Sequence, residues 1–372
     1  MTRLKIAPPN NPIAMMALPF LNSSRARKRD CIVALDLGGR TTKAVLVQRK
    51  GDSFILSGCT VQDAPIYEKS LSAEMLAEHL KSVVHALDAR GKAATVALGV
   101  GDALVRQAEL PAMPVADMRQ VVARSPRNYL QQDLPGHAFD CCILPTPEAP
   151  AGTAKPAAGA LPKQSVLVGA ARQQLVDDVH SALRAAGLHA ESITPGLVGP
   201  VNAFELAQPE LFAKENVALI DLGFRSSSIC ILAGGRLALS RVVNIGGDKL
   251  TAALAETLSV SYAEAEGLKV GMPEEVQPHL EPVLASLGRE LRASIDFFEH
   301  QNDRVVGHVF VSGAGARNPV VLAALQTEVL LECRLWNPAA FLQPALPAQQ
   351  LAGLEEVHSQ LTIAIGAAVA AL

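Results

Sequence analysis

The sequence predicts an α/β protein built from two similar halves, with a small α/β module inserted into the first. Three observations carry that expectation. The stretch from Asp36 to Lys43 (D-L-G-G-R-T-T-K) returns in altered form from Asp221 to Ser228 (D-L-G-F-R-S-S-S). Apolar runs frame both copies, Val33-Ala34-Leu35 and Ala44-Val45-Leu46-Val47 around the first, Ala218-Leu219-Ile220 and Ile229-Cys230-Ile231-Leu232 around the second. Each copy therefore reads as strand, tight turn, strand. A third glycine-rich strand end, Val309-Phe310-Val311-Ser312-Gly313-Ala314-Gly315-Ala316, follows far downstream. One such turn is compatible with a plain hairpin carrying a polar tip; two matched turns point to a duplicated phosphate site.

After the first copy, residues 53–60 read as a further strand, 71–87 as a helix with Leu76, Leu80, Val83, Val84 and Leu87 at helical spacing, and 94–100 as the next strand. Residues 104–191 then read as strand, helix (114–130), strand (139–144), strand (165–170), helix (173–186) and a last strand, a small α/β module. Within it, 145–162 is almost entirely Pro, Ala, Gly, Thr and Glu, which cannot bury enough apolar surface to order itself. The second copy leads to a strand ending near Val243, the turn Asn244-Ile245-Gly246-Gly247-Asp248, helices from Lys249 and near Ser261, and a long helix over 282–301 with Leu284, Leu287, Leu291, Ile295 and Phe298 on one face.

At 372 residues the chain has room for two or three domains. Lys and Arg number 33 against 36 Asp and Glu, and aromatic residues make up 4%, so no broad basic, base-stacking surface is available and nucleic acid is not an expected partner. Six cysteines without C-x-x-C pairing fit a reducing, cytoplasmic setting. No stretch reaches the ~20 apolar residues of a membrane-spanning helix. Residues 12–21 follow Arg3 and Lys5 and faintly imitate a signal peptide, but Asn22-Ser23-Ser24 offers no small-x-small cleavage site, so secretion is not expected. Met15 and Met16 are alternative start positions. The basic run Arg25, Arg27, Lys28 and Arg29 reads as a solvated tail or as a contact with an anionic membrane surface.

The residue types explain what such turns could hold. Gly38, Gly39 and Gly223 let the backbone bend and approach a ligand closely, so that successive amides converge on phosphate oxygens. Thr41, Thr42, Ser226, Ser227 and Ser228 add hydroxyl donors. Asp36 and Asp221, each at the mouth of an apolar strand, are candidates to hold a hydrated Mg2+ that bridges to phosphates. Lys43 could bring a point charge to the phosphate tail, which Ser228, its counterpart, cannot. Gly313 and Gly315 form a turn against which a nucleoside could rest. No G-x-x-x-x-G-K-[ST], H-E-x-x-H or G-x-S-x-G motif occurs. His79 and His85, six positions apart on one helix, share no face and read as surface residues.

These three turns, in this order, resemble the phosphate-1, phosphate-2 and adenosine motifs of the actin/Hsp70/sugar-kinase ATPase superfamily. The closer resemblance is to its bacterial branch holding the PilM (type IV pilus assembly) and FtsA (cell division) families, carried also by the Gly246-Gly247 turn, the Gly187-Leu188 turn and Ala265-Glu266-Gly267-Leu268-Lys269. It implies an actin-like (ribonuclease H-like) duplicated two-domain fold with a small inserted subdomain. The implied division is a tail at 1–30, subdomain IA at 31–100 and 191–214, the insert IC at 101–190 with a disordered loop at 146–162, IIA at 215–250 and 305–372, and IIB at 251–304. It also implies ATP with Mg2+ as cofactor, Gly246 and Gly247 in the site, and Glu266 and Lys269 against ribose or adenine, although one helical turn apart they would equally form a surface ion pair.

The apolar residues 363–372, without a basic residue, favour PilM over the FtsA-like alternative with its cationic membrane helix. The resemblance then implies a cytoplasmic adaptor at the inner face of the inner membrane, associated with it through partners. Its partner would be the cytoplasmic N-terminal peptide of a PilN-like inner-membrane protein; homo-oligomerisation is left open. Departures from the family pattern are Gly39-Arg40 and Phe224-Arg225 in the phosphate turns, and Ile193-Thr194-Pro195-Gly196, with Glu191 displaced, where active ATPases orient water with a glutamate. Weak or absent hydrolysis is expected. A small-molecule kinase is the remaining alternative, and no carboxylate base is evident for it.

Overall fold

Continuous apolar runs build the first sheet. The computed structural model describes Met16 and residues 29–65, 72–144 and 162–372. The rest of the expected tail, with Arg25, Arg27 and Lys28, and nearly all of the loop expected at 146–162 lie outside the described residues. Strands β1 (Cys31–Leu37), β2 (Thr41–Lys50) and β3 (Ser53–Asp63) form an antiparallel meander, followed by helix α1 (Ala73–Ala86) and β4 (Ala93–Leu98), which pairs parallel to β1. Ser72 caps α1, its hydroxyl accepting from the Met75 amide. Successive side chains of a strand point to opposite faces, and here both faces are covered. Ile32, Ala34, Val45 and Val47 enter one apolar cluster, while Val33, Leu35, Ala44 and Leu46 enter another with α1.

The chain then leaves this sheet for a small one. Strand β5 (Ala103–Pro111), helices α2 (Val115–Arg124) and α3 (Pro126–Leu130), β6 (His137–Ile143) and β7 (Lys163–Arg172) make a three-stranded sheet in the order β5-β7-β6 with a core of its own. The single helix expected over 114–130 is broken, because Ser125, preceding Pro126, is driven out of the helical region to φ −143°, ψ 59°. Helix α4 (Gln173–Ala185) returns: Val176, Val179, Ala182 and Leu183 pack into the cluster that holds α1, and β8 (His189–Pro195) pairs parallel to β4. The insert boundary expected at 190 is therefore too late; the separate sheet spans 103–172.

Helices α5 (Gly199–Ala207) and α6 (Pro209–Lys214) lead into the second half. There β9 (Asn216–Leu222), β10 (Ser227–Ala233) and β11 (Leu237–Val243) repeat the meander. Helices α7 (Gly247–Leu258), α8 (Tyr262–Gly271) and α9 (Gln277–Asn302) follow, then β12 (His308–Gly313), α10 (Pro319–Val329) and β13 (Cys333–Leu335). The order β11-β10-β9-β12-β13 reproduces β3-β2-β1-β4-β8 of the first sheet, so the duplication extends to topology. Helix α9 begins at Gln277 rather than at Pro282, which sits inside it at the loss of one backbone hydrogen bond. Residues 251–304 have no core apart from the second sheet, since Leu254, Leu280, Leu284 and Leu291 join Ile220, Ile229 and Ile231 in one cluster.

The final stretch crosses back. Strand β14 (Leu342–Pro344) pairs with β3, helix α11 (Ala348–Val357) follows, and α12 (Thr362–Ala371) lies against β1, β2 and β4. Placing all of 305–372 in the second domain was thus incorrect. The two closing helices, α5 and α12, cross so closely that a Cβ on Gly366 would strike the Gly199 carbonyl. Around them one cluster joins both sheets, with Phe204 packed against Phe310 and Trp336.

Candidate functional site

The two repeated turns have one construction. A Cβ on Gly38 would lie 2.6 Å from the Thr41 carbonyl oxygen, and one on Gly223 would lie 2.5 Å from that of Ser226. Both turns therefore require glycine, and both end strands whose last buried polar residue is an aspartate: Asp36 is 2% exposed and Asp221 7%. They open on a single cleft of about 1740 Å³, which also receives Gly39, Thr41, Thr42, Lys43, Ser226, Gly247, Glu266, Lys269, Gly313 and Gly315. Eight Lys and Arg side chains line it against six Asp and Glu, an excess of cations within a chain of net charge −3. Such a cleft favours an anionic ligand.

Three expected residues, Ser227, Ser228 and Gly246, are not on its wall. Ser227 is fully buried and donates its hydroxyl to the Ile245 carbonyl at 2.6 Å, because strand alternation turns it inward. Gly246 is packed beneath the cleft against the Phe224 carbonyl, where it caps α7.

Strand register explains how the copies differ. Lys43 lies directly opposite Asp36 across β1 and β2, and its ammonium pairs with that carboxylate at 3.2 Å. Ser228 occupies the same place opposite Asp221. Asp221 is served instead by Ser312, its partner on parallel β12, whose hydroxyl donates to it at 2.8 Å. Burial pushes the Asp221 carboxyl up to about 6, Asp36 adds to the rise, and the Ser312 hydrogen bond and Lys43 oppose it.

The two bulky departures interlock across the cleft. Arg40 of the first turn lies 5.5 Å from the centre of the Phe224 ring and pairs with Glu266 at 3.3 Å, while Arg225 lies against Gly39. Glu266 and Lys269 pair at 2.6 Å, Lys269 also donates to the Thr251 hydroxyl at 2.7 Å and to the Gly247 carbonyl at 3.3 Å, and the Thr251 hydroxyl donates to Glu266. Burial pulls the Glu266 carboxyl up, but the hydrogen bonds from Lys269 and Thr251 and the charges of Lys269 and Arg40 outweigh it and hold it below its usual range.

Two features escaped the sequence. His79 is not a plain surface residue: its Nε2 lies 2.8 Å from the Thr42 hydroxyl, and burial draws its pKa down. Asp102 faces the cleft from the turn after β4, where burial raises its carboxyl while Arg225 and Arg172 pull it back. The glycine-flanked Gly99-Val100-Gly101-Asp102 was the available signal. Thr194, at the position where active ATPases carry a glutamate, is buried with an unpartnered hydroxyl among the described residues, and Glu191 pairs with Arg29 at 3.2 Å, off the cleft wall.

The glycine cradles and the buried carboxylate pair suit a metal-bridged polyphosphate. The cleft also continues past the phosphate turns, between α4 (Gln174, Leu175, Asp178, Val179) and the inserted module, where Gln132 and Leu134 of the α3–β6 connection and His137 of β6 line it. In overall architecture the chain is similar to the solved PilM-PilN type IV pilus biogenesis complex, with a TM-score of 0.76 and 22% identity over 93% of this chain and 99% of that one. It is also similar to the ethanolamine utilization protein EutJ from Carboxydothermus hydrogenoformans, with a TM-score of 0.54 and 14% identity over 94% of each chain. The duplicated fold is thus actin-like. Residues 34–371, which carry both turns, the insert and the whole cleft, match the family model for the type IV pilus assembly protein PilM, and the chain belongs to that family.

Proposed function

We propose that the protein is an ATP-binding adaptor of type IV pilus assembly that captures the cytoplasmic N-terminal peptide of a PilN-like inner-membrane protein. The observation that carries this reading is one cleft with two ends. At one end the paired turns and the two buried aspartates face each other; at the other the cleft runs between α4 and the inserted sheet. Asp36 and Asp221 would hold a hydrated Mg2+, which supplies positive charge to bridge phosphate oxygens. Amides and hydroxyls of Thr41, Thr42 and Ser226 would meet the phosphates, the Gly313 to Gly315 turn the nucleoside, and Glu266 with Lys269 the ribose. Lys43 would have to exchange its bond to Asp36 for one to phosphate.

Among the described residues no helix is long and apolar enough to cross a membrane, so placement at the inner face of the inner membrane is proposed through the partner. Turnover is expected to be slow or absent, because no carboxylate stands where Thr194 is buried to align a water. Hydrolysis near the ~10 s⁻¹ typical of enzymes would overturn this part, and Asp102→Asn would then show whether Asp102 serves as the base. Calorimetry with MgATP should give binding that Asp36→Ala and Asp221→Ala both weaken by at least about tenfold, the equivalent of 1.4 kcal/mol. Unchanged affinity in both would remove the two-turn site. A pull-down with the partner's N-terminal peptide, with and without MgATP, tests the other end.

A further inference from the structure

A fully buried asparagine lies on α5, the helix that joins the two halves. Asn202 is 0% exposed and sits in the sequence Val201-Asn202-Ala203-Phe204, every residue of which is buried. Its amide is satisfied by one distant residue: the Met16 backbone N–H donates to Asn202 Oδ1 at 3.1 Å, and Asn202 Nδ2 donates to the Met16 carbonyl at 3.0 Å. The Met16 side chain is 5% exposed and joins the apolar cluster that includes Ile32, Phe204, Leu219 and Leu232, drawn from both sheets.

A side-chain amide buried in an apolar core without partners forfeits its hydrogen bonds to water with nothing in return, so an asparagine at this position makes physical sense only with a ligand for both of its ends. The N–H and C=O of a single residue point to the same side only when the backbone is extended. The notch thus has the chemistry of a peptide-recognition site: a two-pronged amide for extended main chain, and an apolar pocket for an unbranched side chain that fills irregular space well.

We propose that the notch at Asn202 is a peptide-binding site that the chain fills in cis with Met16. A tethered ligand acts at a millimolar-scale effective concentration, so the same sequence offered as a free peptide competes poorly until the tethered copy is removed.

Two experiments on the full-length chain test this. Hydrogen exchange read by mass spectrometry over fragments containing Met16 should show its amide protected in the unmodified chain and exposed in Asn202→Leu, which keeps apolar volume but removes the amide. A fluorescent peptide of residues 10–22 should bind Met16→Asp, whose notch is vacated, at least tenfold more tightly than it binds the unmodified chain. That binding should vanish in Met16→Asp/Asn202→Leu. Equal exchange in the unmodified chain and Asn202→Leu would overturn the proposal, as would peptide binding indifferent to Asn202. Protection that rises with protein concentration alongside a dimer in light scattering would overturn the cis assignment in favour of exchange between copies.

Discussion

Asp221 and Arg40 are the residues whose local chemistry most directly sets what the cleft can do. Burial raises the Asp221 carboxyl from the ordinary aspartate value of 3.8 to about 6 in the folded protein. A raised carboxyl pKa means that its contribution to stability is complete below about 4 and is lost as pH rises through 6, by an amount of roughly 3 kcal/mol. In the ligand-free protein Asp221→Asn should therefore be more stable than the unmodified chain at pH 7.5, with the two denaturation midpoints converging near pH 4. Parallel pH profiles would refute a strained Asp221. The Arg40 pair with Glu266 is partly exposed and is worth less than about 1 kcal/mol to stability. Its consequence is for binding, since it engages the carboxylate proposed to meet ribose. Arg40→Ala should leave the melting temperature within a degree or two and tighten MgATP severalfold by calorimetry; weaker binding would mean that Arg40 serves the phosphates instead.

At the scale of elements, the crossing of α5 and α12 has no slack. A Cβ on Gly199 would lie 2.7 Å from Ile363 Cα, so neither helix can move aside without lifting the other off its sheet. Gly366→Val should cost about 3 kcal/mol or more in chemical denaturation, the upper end of overpacking. Gly353, inside α11, has open space where a Cβ would stand, with no neighbouring atom within 4 Å, and Gly353→Ala should be neutral or stabilise by up to about 1 kcal/mol. Equal effects from the two would show that the crossing is not the constraint. Helix α8 illustrates an element specified locally, since Ser261 and Glu264 form a reciprocal capping box at its start.

For the whole molecule, the inserted sheet is joined to the rest by few covalent links and carries its own core, so it can be changed separately. Deleting residues 147–160 should leave stability within about 1 kcal/mol, because shortening a long connection changes closure entropy little, and because Leu144 and Ala112 already hydrogen-bond Ser165 and Pro162 beside it. Replacing 103–172 by a short linker should abolish capture of the PilN-like peptide in pull-downs while MgATP binding survives. Peptide capture by that variant would assign recognition to another surface.

Much of this was legible in the residues themselves. The strands, the two aspartate turns and the third glycine turn are local patterns, short continuous apolar runs ending in glycine, and most of the expected site residues meet in one cleft. Local pattern did not determine where an apolar helix comes to rest. Helices α4 and α12 carry apolar faces that suit either domain, and only the surface left uncovered by the first sheet decided that both pack there. Ser226, Ser227 and Ser228 read alike, yet only Ser226 reaches the cleft, because the strand buries the other two. Met16 and Asn202, 186 positions apart, have no meaning for each other in sequence. Contacts of that separation depend on the closure of the whole chain, which is why the sequence by itself determined the repeated turns and their chemistry, and the tertiary structure alone decided what lies behind them.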